Sequence, residues 1–421
     1  MTEIVEVPEN SGEKDKKKAK VRNVWISFAG RIVAQIVGAV ASVVLGIMVL
    51  QRYQDRPSGP DPAATAAVSR IATPRSGNPA IAVLPLDNFS GHPEDDYFAD
   101  GMTEALIADL AQIKGLRVIS RTSTQQYKAN KKPLPVVAQE LNADLIVEGS
   151  VTKIGDRVRI TAQLIDARTD EHLWARTYDR TLKDLLQLQA TLAAEIAKSV
   201  KTAVTPADVD RLAGRRAIDP AVYDLYLRGR HAWSLRTADG LATAIRFFTD
   251  AVTRDPQFAL AHVGLADAYS MQGSPSTGIA DAKAHLSRAR AAATRALAPD
   301  DNSAEAHTAL GGVLFFGDRE TAAAERSFRR AIELNSNYPI AHEWLAILLA
   351  ELGNDAEARK HIDIAVELDP VEATMHQARG LVHYYGHRYP EAAAAERRGA
   401  RAATAAAIRP RRAREGADPR Q

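Results

Sequence analysis

The chain of 421 residues has 54 Lys and Arg against 52 Asp and Glu, which gives a formal net charge of +2. This small excess of positive charge argues against nucleic acid as the partner. The sequence contains no cysteine, so disulfide frameworks and thiolate metal sites are excluded. At roughly 150 residues per domain, the length predicts two or three domains. Heavy use of Ala and Arg is typical of a GC-rich bacterial gene.

The N-terminal region predicts one membrane-spanning helix. Residues 1–23 are polar and rich in lysine, which predicts a disordered cytoplasmic tail. The uncharged apolar run Ile32–Leu50 follows, inside a predicted signal-anchor helix over residues 24–52. At ~1.5 Å per residue this run reaches roughly 29 Å, which is the thickness of a bilayer core. A cleaved signal peptide is the alternative, and the long basic region and long apolar run disfavour it.

Basic residues crowd the N-terminal side of this apolar run. The positive-inside rule therefore predicts a cytoplasmic N-terminus, with the bulk of the chain in the periplasm of a bacterial inner membrane. Small residues recur at every fourth position of the span and let two helices approach closely, so the helix is a candidate for homodimerisation. These residues are Gly30, Ala34, Gly38, Ser42 and Gly46. Small residues are also common in membrane helices in general.

Residues 53–79 are rich in proline and predict an extended linker, after which residues 80–205 predict an α/β domain. The apolar run from Ile81 to Leu86 indicates a buried strand, and the alternation from Arg157 to Leu164 indicates a strand with one wet face. Thr181–Asp184 resembles a capping box that opens a long helix. The predicted order β-α-β-α-β-β-β-α gives a small mixed sheet with helices on one side.

From residue 219 to 400 the strand signals are replaced by a repeat. A histidine recurs at positions 262, 307, 342 and 376, which are 45, 35 and 34 residues apart, and each is followed by a similar set of small and large residues. This is the tetratricopeptide pattern of paired helices, and it predicts about four repeats in an all-α solenoid. The long first interval comes from a predicted loop insertion at Gly273–Ala280.

The α/β region carries six short motifs. They are IAVLPLDNFSG at Ile81–Gly91, YFADGMTE at Tyr97–Glu104, RTS at Arg121–Ser123, EGSV at Glu148–Val151, RVRITAQLID at Arg157–Asp166 and EHLWA at Glu171–Ala175. Together these motifs resemble the TolB N-terminal-like (also FlgO-like) domain that precedes tetratricopeptide repeats in bacterial signalling proteins. The family also includes the envelope parts of winged-helix regulators and of class III adenylate cyclase-like proteins. This resemblance implies a docking or sensing domain, while the winged-helix or cyclase output domain of those relatives has no counterpart in the sequence.

The concave face of such a solenoid is the candidate binding site. Its predicted lining is apolar and aromatic with acidic residues between, which suits an amphipathic helix or an extended peptide with some positive charge. The predicted groove residues are Leu260, Val263, Asp267, Glu305, Phe315, Phe316, Glu343, Ile347, Tyr384 and Tyr385. The leading hypothesis is a membrane-anchored, non-enzymatic interaction scaffold. The alternative is a transmembrane sensor that signals to a cytoplasmic partner.

Other polar clusters have structural interpretations beside functional ones. The acidic stretch Glu94–Asp96, with His92 and Asp100, could hold a cation, but acidic residues are also typical of helix starts. Arg157 and Arg159 could contact a partner or form a solvated strand face. No phosphate-binding loop, nucleophile elbow or H-E-x-x-H motif occurs, so no catalytic residue, cofactor or metal is predicted.

The histidines near the C-terminus could share one helix face as metal ligands. They are His376, His383 and His387. His376, however, occupies the position at which every repeat has a histidine, which favours a packing role. After Glu396 the repeat pattern fails, and residues 401–421 form an Arg- and Ala-rich tail that is expected to be disordered. A shifted reading frame or a truncated gene would explain this tail.

Overall fold

The structure is a computed structural model that describes residues 78–200, 205, 218–273, 282–299 and 301–407. The predicted cytoplasmic tail, the membrane span with its stripe of small residues and nearly all of the linker lie outside the described residues. So do most of the predicted loop insertion and residues 408–421. Among the helices that the structure describes, none is long and apolar enough to cross a membrane.

A six-stranded mixed sheet organises the α/β domain. Its strands are β1 (Ala80–Val83), β2 (Asp87–Asn88), β3 (Arg117–Val118), β4 (Leu145–Ile154), β5 (Arg157–Asp166) and β6 (Glu171–Thr181). The strand order is β3-β1-β4-β5-β6, and β2 pairs with β4 beyond the end of β1. The β1 strand runs parallel to β3 and β4, whereas β4, β5 and β6 are antiparallel. The predicted mixed sheet is thus confirmed.

Helices cover both faces of this sheet. They are α1 (Asp96–Ala111), α2 (Arg121–Gln125), α3 (Leu134–Leu141) and α4 (Leu185–Ser199). Ile81 and Val83 share a core with α1 and α4, while Ala82 shares a second core with α3. The prediction of helices on one side only is therefore wrong, because the continuous apolar run of β1 supplies buried side chains to both faces.

The β4–β5–β6 part of the sheet has one wet face, as predicted. Val158, Ile160 and Leu164 of β5 are buried, whereas Arg157 and Arg159 are exposed.

The predicted capping box at Thr181–Asp184 does not form. The Thr181 hydroxyl donates to the Asp184 carboxylate (2.8 Å) rather than accepting from a backbone N–H, and residues Leu182–Asp184 form a 3-10 turn before α4.

Helix pairs make up the rest of the described chain. The first helices are α5 (Pro220–Ser234), α7 (Ala259–Gln272), α9 (Ala304–Gly312), α11 (Pro339–Glu351) and α13 (Ala373–Tyr385). The second helices are α6 (Ala238–Arg254), α8 (Ala282–Leu297), α10 (Thr321–Leu334), α12 (Asp355–Leu368) and α14 (Tyr389–Ala407). The described residues thus hold five pairs, one more than predicted, because α5 lacks the Ala-His signature. The last helix continues seven residues past the predicted boundary at residue 400.

The recurring histidines have a structural role in every repeat that carries one. Each is buried, and its Nε2 atom lies within hydrogen-bond distance of the backbone carbonyl oxygen six residues earlier, which closes the loop before each first helix. The pairs are His262 with Pro256 (2.9 Å), His307 with Asp301 (3.0 Å), His342 with Ser336 (3.2 Å) and His376 with Pro370 (2.9 Å). This geometry confirms the packing interpretation of His376.

Candidate functional site

The α/β domain docks onto the loops that precede two of the first helices. The buried side chain of Asn337, just before α11, makes three hydrogen bonds across this contact. Its Nδ2 donates to the carbonyl oxygens of Ala111 and Leu116, both at 3.0 Å, and its Oδ1 accepts from the Val118 N–H at 3.2 Å. Because each partner is a backbone group of the α/β domain, one amide side chain fixes the position of α1 and β3 against the repeats.

A second contact joins α2 to the loop before α13. The Ser123 hydroxyl donates to the Asp369 carboxylate and accepts from the Val371 N–H (3.2 Å), while the Ser120 N–H donates to the Leu368 carbonyl oxygen (2.8 Å). Burial raises the pKa of Asp369 to about 7, although the hydrogen bond from Ser123 opposes this shift. The two docking contacts hold the α/β domain over the later repeats.

Helix α1 also packs directly against α5, the first repeat helix. A Cβ atom added at Gly101 would lie 2.5 Å from the Leu227 side chain, so the absence of a side chain at this position permits the close approach. Nearby, the Tyr97 hydroxyl hydrogen-bonds to Asp224 of α5. The α/β domain therefore contacts the repeats at α5 and at the loops before α11 and α13, and it leaves a space between these contacts.

This space is a cavity of about 1750 Å³ between α1 and α2 on one side and the repeats on the other. The repeats line it with apolar and aromatic side chains, among them Leu260, Val263, Phe316 and Trp344. Phe316 is 52% exposed and meets Trp344 edge-on, with 5.7 Å between ring centroids. Exposed aromatic side chains in a concave site are typical anchors for a bound segment.

One end of the cavity holds a cluster of charged side chains. Arg230 of α5 contacts Glu104 of α1 at 2.6 Å and Asp267 of α7 at 3.4 Å, while Arg121 lies 3.7 Å from Glu104. Burial acts to raise the pKa of Glu104, but the Arg230 and Arg121 guanidiniums outweigh it and hold this pKa below its ordinary value. Burial raises the pKa of Asp267 to about 6 despite Arg230.

Trp233 of α5 lies beside this cluster. The guanidinium of Arg230 is 4.6 Å from the centre of its ring, and the guanidinium of Arg236 is 4.2 Å away. The sequence does not show that these arginines and Arg121 form one cluster. Arg121 comes from α2, Arg230 from α5 and Arg236 from the turn after α5, and they meet only in the folded chain. The signal in the sequence was the recurrence of basic residues around Trp233. The sequence predicted a partner with some positive charge, whereas these arginines give the cavity positive charge that favours an acidic group.

The structure separates the predicted groove residues into two sets. Five line the cavity: Leu260, Val263, Asp267, Glu305 and Phe316. The other five lie elsewhere: Phe315, Glu343, Ile347, Tyr384 and Tyr385. Phe315 is only 2% exposed, because residues Val313–Gly317 form a π-helical turn that directs it into the core and Phe316 into the cavity. Tyr384 and Tyr385 are exposed at the last helix pair, and Ile347 packs against the core of the later repeats.

The other clusters have internal partners. Residues Pro93–Asp95 form a 3-10 turn before α1, and Lys128 contacts Asp96 (3.4 Å) and Asp100 (2.7 Å). Arg157 and Arg159 both pair with Asp179 on the exposed face of the sheet. His383 accepts from the Arg388 guanidinium, and His387 contacts the Tyr389 hydroxyl. Within the described ranges no three acidic, histidine or cysteine side chains are grouped as metal ligands.

Glu343 of α11 gives a prediction about pH. Burial and the nearby Asp369 and Glu372 raise the pKa of Glu343 to about 8 from an ordinary 4.5. The folded protein thus keeps a proton that the unfolded chain releases, and stability falls as pH rises from about 4.5 to 8. Glu343→Gln should leave the free energy of unfolding nearly unchanged near pH 5 and raise it by about 2 kcal/mol near pH 8.

Urea unfolding at both pH values measures this difference. Glu351→Gln removes an exposed carboxylate from the same helix and is the matched control; it should show little change at either pH. An equal effect of Glu343→Gln at both pH values would contradict a proton held in the folded state.

Comparisons with known proteins match the α/β domain and the repeats to two different families. Residues 77–195 match a family model described as the second domain of HilA/YgeH-like transcriptional regulators. Residues 312–373 match a tetratricopeptide repeat model. "Putative adenylate cyclase 3" of Rhizobium meliloti (strain 1021) is 40% identical over 188 residues, which cover 45% of this chain and 32% of that protein. The match thus spans about a third of the length of this relative.

Solved structures share weaker similarity. Crystal structures of MamA and of YrrB, which is titled a TPR protein with an unusual peptide-binding site, are each 22% identical and each cover 42% of this chain. The matches cover 96% and 86% of those chains, with TM-scores of 0.31 and 0.29. TolB from Acinetobacter baumannii is 15% identical, covers 29% of this chain and 28% of its own, and has a TM-score of 0.23. The tetratricopeptide resemblance is confirmed, and the α/β domain is similar to HilA/YgeH-like regulators, with little support for TolB.

Proposed function

We propose that this chain is a membrane-anchored, non-enzymatic binding module that takes up a peptide or protein segment between its α/β domain and its repeats. The cavity lined by Phe316 and Trp344 is the observation that carries this proposal. Its volume of about 1750 Å³ exceeds the range of about 300–1,000 Å³ that is usual for small-molecule sites. The cavity also lies on first helices of the repeats, and tetratricopeptide repeats are an interaction scaffold.

The cavity residues can be tested with a peptide selected on the purified chain from a display library of short random peptides. Phe316→Ala should weaken binding of the selected peptide by about tenfold, because it removes an exposed aromatic anchor. Tyr384→Ala is the matched control, since Tyr384 is similarly exposed but lies outside the cavity. Loss of binding in the Tyr384 variant alone, with normal helical circular dichroism in both, would move the site to the last helix pair.

Anchoring is proposed from the apolar run Ile32–Leu50 and the basic residues before it. A reporter that is active only in the periplasm, fused after Thr205, should be active in bacteria that express the fusion. A reporter that works only in the cytoplasm, fused at the same position, should remain silent. The reverse pattern of activity would contradict the proposed periplasmic location of both domains.

A sensor that signals to a cytoplasmic partner is the second candidate function. It is favoured by the 40% identity to the R. meliloti protein named as an adenylate cyclase, over 188 residues. In this function, peptide binding on one side of the membrane would change how accessible the lysine-rich segment Lys14–Lys20 is on the other side. Protease cleavage at these lysines in inside-out vesicles, with the selected peptide enclosed, separates the two functions. Cleavage that is independent of the peptide favours the scaffold, and cleavage that changes with the peptide favours the sensor.

A further inference from the structure

The charged end of the cavity already binds carboxylates that belong to the protein itself. Arg230 holds Glu104 at 2.6 Å and Asp267 at 3.4 Å, so both of these carboxylates are paired with it. Arg236 differs from Arg230. No carboxylate of the described residues lies within ion-pair distance of its guanidinium, which donates only a long contact of 3.7 Å to the Met271 sulfur. Arg236 is exposed and lines the cavity.

The geometry around Arg236 fixes the position of its guanidinium. The group lies 4.2 Å from the centre of the Trp233 ring, where a cation–π interaction stabilises it. The backbone of Arg236 is also left-handed, with φ of 55°, which is unusual for a residue with a side chain. A strained backbone at a cavity wall often accompanies a functional position. The stacking and the backbone together hold, at the edge of the cavity, a cation that has no ion-pair partner among the described residues.

The same end of the cavity is short of hydrogen-bond acceptors. Three donors are buried without a partner among the described residues: Arg121 Nε, Arg230 Nε and Trp233 Nε1. Buried donors without acceptors are unfavourable, because they have lost their hydrogen bonds to water. All three residues line the cavity beside Arg236. An incoming group that carries acceptor oxygens could therefore accept hydrogen bonds from these three donors.

We propose that Arg236, supported by Trp233 and Arg230, binds a carboxylate of the peptide that occupies the cavity. This inference rests on the proposed function and names the chemistry of its partner. The carboxylate is a C-terminal group or an acidic side chain, and the apolar residues of the same peptide contact Phe316 and Leu260. Arg121, which supplies one of the three donors without a partner among the described residues, comes from the α/β domain, so both domains contribute to the site.

A carboxylate fits this cluster better than a phosphate does. A guanidinium can bind either group through paired hydrogen bonds. Glu104 and Asp267, however, both lie within 4 Å of Arg230 and would repel an incoming anion. This repulsion is about twice as large for a dianionic phosphate as for a monoanionic carboxylate at the same distance.

The test uses peptides selected on the full chain by display with free C-termini. Each enriched peptide is synthesised again in its acid form and in a form with the C-terminus and acidic side chains amidated. The acid form should bind about tenfold more tightly than the amidated form, because amidation removes the ionised carboxylate that accepts hydrogen bonds from Arg236. Arg236→Gln should abolish this difference. Arg246→Gln removes an exposed guanidinium outside the cavity and should preserve it.

The outcomes separate this inference from the proposed function. If no peptide binds the chain, the proposed function fails and the inference fails with it. If both forms bind equally and Arg236→Gln changes neither, the carboxylate site is wrong while the peptide-binding function stands. In a parallel arm, phenylpropionate is compared with phenylpropionamide. Binding of this small acid through Arg236 without any peptide binding would overturn the peptide as the source of the carboxylate.

Discussion

Arg230→Met is expected to lower the free energy of unfolding by about 3 kcal/mol, which should appear as an earlier midpoint in urea. The substitution keeps much of the side-chain volume but leaves Glu104 and Asp267 without the cation that they share. Removal of one partner from a buried ion pair costs about 3–5 kcal/mol, because the remaining charge is uncompensated. The residual exposure of this cluster places the expected value at the lower end of that range.

Two further variants test this interpretation. Adding Glu104→Gln to Arg230→Met removes a carboxylate that has lost its nearer cation and keeps only the more distant Arg121, so it should recover part of the lost stability. Arg246→Met makes the same chemical change at an exposed position of α6 and should alter the free energy of unfolding by less than about 0.5 kcal/mol. A change this small for Arg230→Met as well would show that the cluster does not connect the two domains energetically.

Phe248→Ala should reduce the free energy of unfolding by about 3–5 kcal/mol, because it leaves a cavity in the core of the first repeats. Phe248 is fully buried and belongs to the core that joins α5, α6 and α7. Its ring lies so close to Gly229 and Gly264 that an added Cβ at either glycine would come within 2.6 Å of a ring atom. Thermal or urea unfolding of the purified chain measures the loss.

Phe247 provides the matched control for Phe248. It is the next residue of α6 and is only partly buried, so Phe247→Ala should cost clearly less. Gly264→Ala should also destabilise the chain, since the new methyl group must displace the Phe248 ring. Similar losses for Phe247→Ala and Phe248→Ala would contradict the packing of these glycines around one aromatic ring.

Local patterns in the sequence predicted most of the fold. The alternation in β5 and the spacing of His262, His307, His342 and His376 each depend on residues near one another in the chain. The predicted repeat region includes α5, but the count of about four repeats was one too low because α5 lacks the histidine. The second helical layer of the sheet was also missed, since a continuous apolar strand does not show which helices will cover its two faces.

The candidate site was predictable only in part, for a physical reason. Three of the residues chosen from the repeat register, Leu260, Val263 and Phe316, line the cavity, and their role in binding stays a prediction. The register could not show that Asn337 would bind the backbone of a domain more than two hundred positions earlier. Nor could it show that this docking would bring Arg121 beside Arg230. Contacts between distant segments have no periodic signal in the sequence.

Docking of the α/β domain changes what the repeats can bind. A groove on the repeats alone would be open along its whole length, whereas here α1 and α2 form the opposite wall of the cavity. Any segment that enters must contact both domains, so binding should depend on their relative position. Asp369 lies at the second docking contact, and burial raises its pKa to about 7, so we expect the stability of this contact to depend on pH.

Hydrogen–deuterium exchange of the full chain, with and without a selected peptide, tests the central claim most directly. Binding in the cavity should slow exchange in α1 and in the first helices α7 and α9, because these elements form its walls. Exchange in the second helices α6, α12 and α14, none of which lines the cavity, should change little. Protection confined to those three helices, or to the wet face of β5 and β6, would show that the partner binds outside the cavity and would contradict the proposed function.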